Sequence, residues 1–262
     1  MNRVALPSLK TRLRDHQLTI GSWLSFGFPP VAELMARAGF EWLVVDTEHT
    51  AIGQAEAHAL IQVIELSRCV PLVRVAANEA VAIKHAMDAG AHGVVVPQVN
   101  SIEDADRAAD ALYYPPRGKR GAGLARAQGY GLSFSEYRDW ADRESVLVAQ
   151  IEHIRGVEAL EDIVRHEAVD AFIIGPYDLS ASIGVPGDWE HKDVVAALTE
   201  VERVIGLGVK AAGFHVVHSN RDEFTRRVAA GYRFIAYGDD MVFLAEKVRD
   251  EMMFVREQVR GR

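Results

Sequence analysis

Eight short apolar runs, separated by segments of helical periodicity, set the tightest limit on how this chain can fold. They are Thr19–Leu24, Trp42–Asp46, Pro71–Val75, Gly93–Pro97, Val146–Ile151, Ala171–Gly175, Lys210–His215 and Arg233–Gly238. Most are continuously apolar rather than alternating, as strands are when both faces of a parallel sheet are covered. Between them, Gln54–Ser67 places Ala57, Leu60, Ile61 and Ile64 on one face, and Glu79–Ala89 and Ile102–Leu112 are further helical segments. Eight strand–helix units in 262 residues, with no composition break, repeat or linker, predict an α/β fold: one (β/α)8 TIM barrel spanning 1–262. A doubly wound open sheet is the alternative, but no G-x-G-x-x-G follows the first run.

Two segments interrupt the rhythm. Tyr113–Gly131 is rich in Gly, Pro and Arg and too long for a simple turn, and such loops are usually functional or disordered. Asp239–Val259 reads as a long final helix with a charged tail.

Charge and cysteine usage exclude several classes of function. A net charge of -8 argues against nucleic acid as a partner, because phosphate backbones need clustered Lys and Arg. Cys69 is the sole cysteine, so an intrachain disulfide and a cysteine zinc site are both out of reach, and a packing role is expected for it. The first twenty residues carry charges and no apolar core of a leader, and no run approaches the ~20 residues that span a bilayer. No membrane partner is expected, and the cytoplasm is the expected location.

In a barrel of this kind, chemistry sits where the strands end. Asp46-Thr47-Glu48-His49 close the second run, Arg74 ends the third, and Pro97 and Gln98 close the fourth. Gln150 and Glu152 close the fifth, Gly175, Pro176, Tyr177 and Asp178 follow the sixth, His215 ends the seventh, and Gly238 with Asp239 ends the eighth. Each has a plain structural reading. Asp46, Glu48 and Asp178 can cap helices, His49 can be a surface histidine, and Arg74 can be one half of an ion pair. Their conjunction at one rim is what points to a site.

Glu152 and Asp178 follow runs that can be neighbouring strands, so their carboxylates can meet. Such a pair, with no cysteine nearby, suits a hard divalent cation such as Mg²⁺ or Mn²⁺. The Gly-Pro turn at 175–176 opens a helix, leaving the N–H groups of Tyr177 and Asp178 to hold a small anionic substrate. Together these parts fit enolate chemistry on a 2-oxo acid, with the cation and Arg74 stabilising charge on the carbonyl oxygen. His49, or a water it polarises, is the candidate to move the proton. A Schiff-base route needs a lysine inside the barrel, but Lys210 starts its run and Lys84 falls in a helical segment.

The same residues carry a family likeness. Gly21 and Trp23, AGFEWLVVDTEH, PLVRV, IKHAMDAGAHGVVVP, YPPRGKRG, AQIEHI and FIIGPYDLSASIG come in the order found in the HpcH/HpaI family of metal-dependent pyruvate aldolases. The chain resembles that family from about Gly21 to Asp240. The resemblance implies a barrel that reversibly cleaves 4-hydroxy-2-oxo acids to pyruvate, or a related 2-oxo acid, and an aldehyde, with Mg²⁺, Mn²⁺ or Co²⁺ as cofactor. It implies Glu152 and Asp178 as metal ligands and His49 as base, with Asp46 nearby and Asp88 assisting the histidine. It also implies Arg74 on the enolate oxygen and Gln150 lining the site. Family members are hexamers that exchange the last helix, so a homo-oligomer, trimer or hexamer, is expected. Thr47, Gln98 and His215 depart from common family residues. Gln98 and His215 either touch substrate or bond to each other, the second being favoured. Arg117, Lys119 and Arg120 either meet the acceptor or pair with acids of a neighbouring subunit. An oxaloacetate-type decarboxylase or citramalyl-CoA-type lyase needs the same parts, whereas an oxo-acid sensor should have lost His49 or a metal carboxylate.

Overall fold

The side chains of each strand alternate between two apolar layers, and this alternation places the site. The computed structural model describes residues 6–260. Its strands are β1 (Thr19–Leu24), β2 (Trp42–Asp46), β3 (Val70–Arg74), β4 (Gly93–Val96), β5 (Val146–Ile151), β6 (Ala171–Ile174), β7 (Ala211–Val216) and β8 (Phe234–Asp239). Each pairs in parallel with the next and β8 pairs with β1, closing the (β/α)8 barrel. β3 begins one residue before its apolar run because the Val70 N–H already bonds Glu41 O at 3.0 Å. Helix α1 (Leu9–Arg14) precedes the barrel. Around it lie α2 (Pro29–Arg37), α3 (Gln54–Leu66), α4 (Ala80–Ala89), α5 (Ile102–Leu112), α6 (Phe134–Glu144), α7 (Ile154–Glu158), α8 (Leu160–Arg165), α9 (Pro176–Ser182), α10 (Lys192–Gly206), α11 (Arg221–Ala229) and α12 (Asp240–Arg260).

One layer fills the barrel and the other joins strands to helices. Trp42, Val44, Leu72, Val95, Val148, Ile173 and Ala236 pack inside, while their neighbours Leu43, Val45, Val73, Val94, Ala149, Ile174 and Ile235 pack under the helices. Trp42 stacks on Phe234 at 4.0 Å between ring centroids. Gly21 must be glycine here, since a Cβ would lie 2.0 Å from the Trp42 ring. Leu9 and Leu13 of α1 join the inner layer and plug the N-terminal end. Cys69 lies in the outer layer, where burial pushes its thiol up to about 12, so it packs rather than reacts.

The long segment 113–131 leaves the C-terminal end of α5 at the N-terminal end of the barrel. Its cations find partners within the chain. Arg117 donates to Asp142 O at 2.8 Å and lies over the Tyr113 ring, and Lys119 pairs with Asp110 at 2.6 Å. Arg120, with a fully buried side chain, pairs with Asp88 and lies against Tyr114 and Tyr137. Both roles weighed for these cations, meeting an acceptor substrate or pairing with a neighbouring subunit's acids, lie outside a single chain, within which they brace the bottom of the barrel.

Helix α12 is attached at its start. Asp240 accepts hydrogen bonds from Ser25 N at 2.8 Å and Phe26 N at 3.1 Å. Beyond it, Met241, Leu244, Val248, Met252, Val255 and Val259 form an exposed apolar stripe. Among the described residues, no helix is long and apolar enough to cross a membrane.

Candidate active site

Asp46 and Arg74 are register partners at the ends of β2 and β3, both on the inward parity. Arg74 Nε donates to Asp46 Oδ1 at 2.9 Å and Nη2 to Oδ2 at 2.7 Å, a two-toothed fork that fixes the guanidinium plane. Burial works against the Asp46 charge, but Arg74 and the N–H groups of Glu48 and His49 outweigh it and hold the carboxyl below its ordinary value. Thr47 closes the turn, its hydroxyl donating to Arg74 O at 2.7 Å.

Glu48 was named among the strand-end acids with no chemical step assigned to it, yet it is central. Its Oε2 lies 3.3 Å from Arg74 Nε and 3.7 Å from His49 Nε2. That oxygen is buried without a hydrogen-bond partner among the described residues. Burial raises its pKa, Arg74 opposes the rise, and the charges of Glu152, Asp46 and Asp178 carry it to about 7. His49 stands at the mouth with 59% of its side chain exposed.

Glu152 follows β5 and is buried. Oε1 accepts from the Gln98 N–H at 2.9 Å, and Oε2 from the Gln150 amide. Burial raises this carboxyl above its ordinary value, and Asp178 adds to the rise against those two donors. Gln98 has φ 54°, a left-handed conformation that costs ~1–3 kcal/mol in a residue other than glycine and here accompanies the aim of its N–H at Glu152. Gly175 leaves the space Glu152 needs, since a Cβ there would lie 2.8 Å from Oε2. Asp178 sits exposed in the first turn of α9. The first bond of that helix runs from Leu179 N to Gly175 O, which leaves the N–H groups of Tyr177 and Asp178 outside the helical ladder.

A cavity of about 230 Å³ opens at this rim, lined by Trp23, His49, Arg74, Gln150, Gly175, Pro176, Tyr177, Asp178 and His215 among others. Trp23 carries Arg74 at 5.6 Å from its ring centroid and stacks on His215 at 4.8 Å. The expected Gln98–His215 bond is not formed. His215 Nε2 bonds Gly238 O at 3.0 Å, and the Gln98 amide oxygen takes a donor from Asn100. The pairing of Trp23 with His215 was hidden in the sequence because it depends on two strands far apart in the chain.

Asp88 is the one expected site residue that a single chain does not bring to the others. It occupies the last turn of α4, which runs back toward the N-terminal end of the barrel, and there it pairs with Arg120. Within one chain the acid expected to assist the histidine therefore does not stand beside His49.

Residues 19–246 match the family model described as HpcH/HpaI aldolase/citrate lyase. The chain belongs to the HpcH/HpaI aldolase/citrate lyase family. It is 34% identical over 260 residues to a hydroxypyruvate/pyruvate aldolase of Paraburkholderia phytofirmans, covering 95% of this chain and 97% of that protein. A hydroxypyruvate/pyruvate aldolase of Sagittula stellata is 38% identical, with 90% of this chain and 92% of that protein covered. The crystal structure of an HpcH/HpaI family protein from Burkholderia cenocepacia superposes with a TM-score of 0.89 at 33% identity, covering 95% and 99% of the two chains. This membership and the aldolase-named relatives together make the chain an aldolase, a carbon–carbon lyase.

Proposed function

We propose that the chain is a divalent-metal-dependent aldolase that reversibly cleaves a 4-hydroxy-2-oxo acid to pyruvate, or a related 2-oxo acid, and an aldehyde. The observation that carries this is the Asp46–Arg74 fork set among an excess of carboxylates. Asp46, Glu48, Glu152 and Asp178 act on one another around a single guanidinium, and burial first, with this crowding added, lifts both Glu48 and Glu152. A dication fits that imbalance, and the donors are all oxygen, as Mg²⁺, Mn²⁺ or Co²⁺ accept. Glu152 and Asp178 would hold it. Among the described residues no three His, Cys, Asp or Glu side chains form a ready cage, so water and substrate oxygens would complete the shell, as is usual for Mg²⁺. When bound, the ion would draw electron density from the carboxylate and carbonyl of the 2-oxo acid.

The chain's own residues supply the remaining steps. The fork occupies Nε and Nη2 of Arg74, so Nη1 is the edge offered to the substrate carbonyl oxygen. In cleavage His49 takes the proton of the 4-hydroxyl, the bond between carbons 3 and 4 breaks, and the aldehyde leaves. The electron pair passes into an enolate whose oxygen faces Arg74, and protonation at carbon 3 gives the 2-oxo acid. Gln150 steadies Glu152 beside it. The N–H groups of Tyr177 and Asp178, following Gly175 and Pro176, receive the substrate carboxylate. An assisting role for Asp88 requires a neighbouring subunit's His49, which accords with a homo-oligomer in which another copy covers the apolar stripe of α12.

The test is pyruvate release from a panel of 4-hydroxy-2-oxo acids after chelation and again with Mg²⁺, Mn²⁺ or Co²⁺ restored. Metal-dependent release is expected. Oxaloacetate decarboxylation surviving alone would replace this reading with a decarboxylase.

A further inference from the structure

One polar atom in the cavity wall has no part in the steps above. His215 Nε2 lies 3.0 Å from Gly238 O, and a carbonyl only accepts, so Nε2 carries a hydrogen. Burial and the nearby Arg74 favour the neutral ring over the imidazolium, against the pull of Gly238 O, Asp239 and Asp46. A neutral ring protonated at Nε2 presents Nδ1 as an acceptor. Among the described residues nothing bonds Nδ1, and it is not among the enclosed polar atoms, on a ring that lines the cavity. Stacking on Trp23, with 18° between the planes, and the Gly238 bond hold the ring in this orientation. The wall therefore carries a fixed, neutral acceptor that faces open space.

Such an atom is matched by a donor. Pyruvate offers a carboxylate, a carbonyl and a methyl group, and acetaldehyde a carbonyl and a methyl group; neither holds a hydroxyl donor. A hydroxyl on the carbon next to the carbonyl supplies one. We propose that His215 Nδ1 accepts a hydrogen bond from such a hydroxyl and so selects hydroxylated substrates, either a 3-hydroxy-2-oxo acid or a 2-hydroxyaldehyde. This rests on the aldolase reading above and makes His215 a specificity residue rather than a participant in proton transfer.

The experiment uses the full chain with metal restored, as wild type, His215→Phe and His215→Asn. Phenylalanine keeps a flat ring against Trp23 and removes the acceptor, while asparagine returns an acceptor near the position of Nδ1. One arm compares hydroxypyruvate with pyruvate, both on acetaldehyde. The other compares glycolaldehyde with acetaldehyde, both with pyruvate. The readout is the ratio of kcat/KM within each arm, which cancels any loss of active protein, together with calorimetric binding of the two acids and of the two aldehydes. In H215F one ratio should fall by roughly tenfold, the order expected for one lost hydrogen bond, and H215N should restore part of it. The arm that falls identifies whether donor or acceptor carries the hydroxyl. Both ratios unchanged in H215F overturns the proposal. A wild type inactive on every pair overturns the aldolase reading instead, and calorimetry then decides for His215. A preference for hydroxypyruvate or for glycolaldehyde lost in H215F upholds its role, and equal binding within both the acid pair and the aldehyde pair by wild type and H215F overturns it.

Discussion

Glu48 and Glu65 are the same residue type, both substantially buried, at opposite ends of one barrel, and their environments drive them apart. At the bottom, burial alone would raise Glu65, but His92 and Arg126 overcome it and bring the carboxyl down to about 2. At the rim, Glu48 shares Arg74 with Asp46, faces Glu152 and Asp178, and rises to about 7. The pattern extends beyond this pair. Lys10 meets Asp170 and Arg120 meets Asp88 at the bottom, whereas the rim holds more carboxylates than cations. A buried charge with its own partner holds the fold together, while charges crowded without enough partners wait for a ligand.

The largest effect should come from removing rim charge. Glu152→Ala and Asp178→Ala are each expected to abolish metal binding and aldol turnover, checked by metal stoichiometry and pyruvate release. Full stoichiometry in either variant would remove that residue from the ligand set. Next, His49→Ala should keep metal and pyruvate binding but slow turnover by ~10²–10⁴-fold, as loss of a general base does. An unchanged rate would assign the proton to another group. At the other end, Arg126→Met leaves Glu65 short of a cation and should cost about 3–5 kcal/mol in urea unfolding. A loss of catalysis in the folded protein, without that destabilisation, would erase the distinction between the two ends.

The smallest effect is in the pH dependence. The folded value of Glu48, about 7, lies above its ordinary 4.5, so the stability linked to its protonation is present in acid and lost as pH rises through that window. Glu65 works the other way: its contribution is present above 4.5 and fades only as pH falls toward about 2, outside the window of Glu48. In metal-free protein, Glu48→Gln should therefore gain on wild type by ~1–2 kcal/mol between pH 5 and pH 8, read from urea midpoints. An identical change in both proteins would show that Glu48 is not perturbed.

Much of this was legible along the chain because it is local. β1, β2 and β5 match their apolar runs residue for residue, so Asp46 and Arg74, which end strands, and Gln150, one residue short of an end, could be placed at the rim. The six-residue α1 was missed because it is too short to show a period. The state of Glu48 was missed because it is set by burial and by the charges of Glu152 and Asp178, which follow other strands. Motif order says nothing about helix direction, so it did not show that α4 carries the last turn with Asp88 away from the rim of its own chain. Gln98 concealed its role because the backbone N–H, not the side chain, does the work.

The two-residue alternation of the strands has a consequence for how this molecule can change. Val73, Ala149 and Phe214 seat the helices, whereas Arg74, Gln150 and His215 face the mouth, so each rim residue adjoins a structural one yet contacts a different compartment. A point substitution at the rim can alter what the barrel accepts while the helix layer keeps its contacts. Inserting one residue into β2 or β5 would have the reverse outcome, turning site residues outward under the helices and bringing aliphatic ones to the mouth. Variation in this scaffold is therefore tolerated in the letters at the rim but not in the spacing between them.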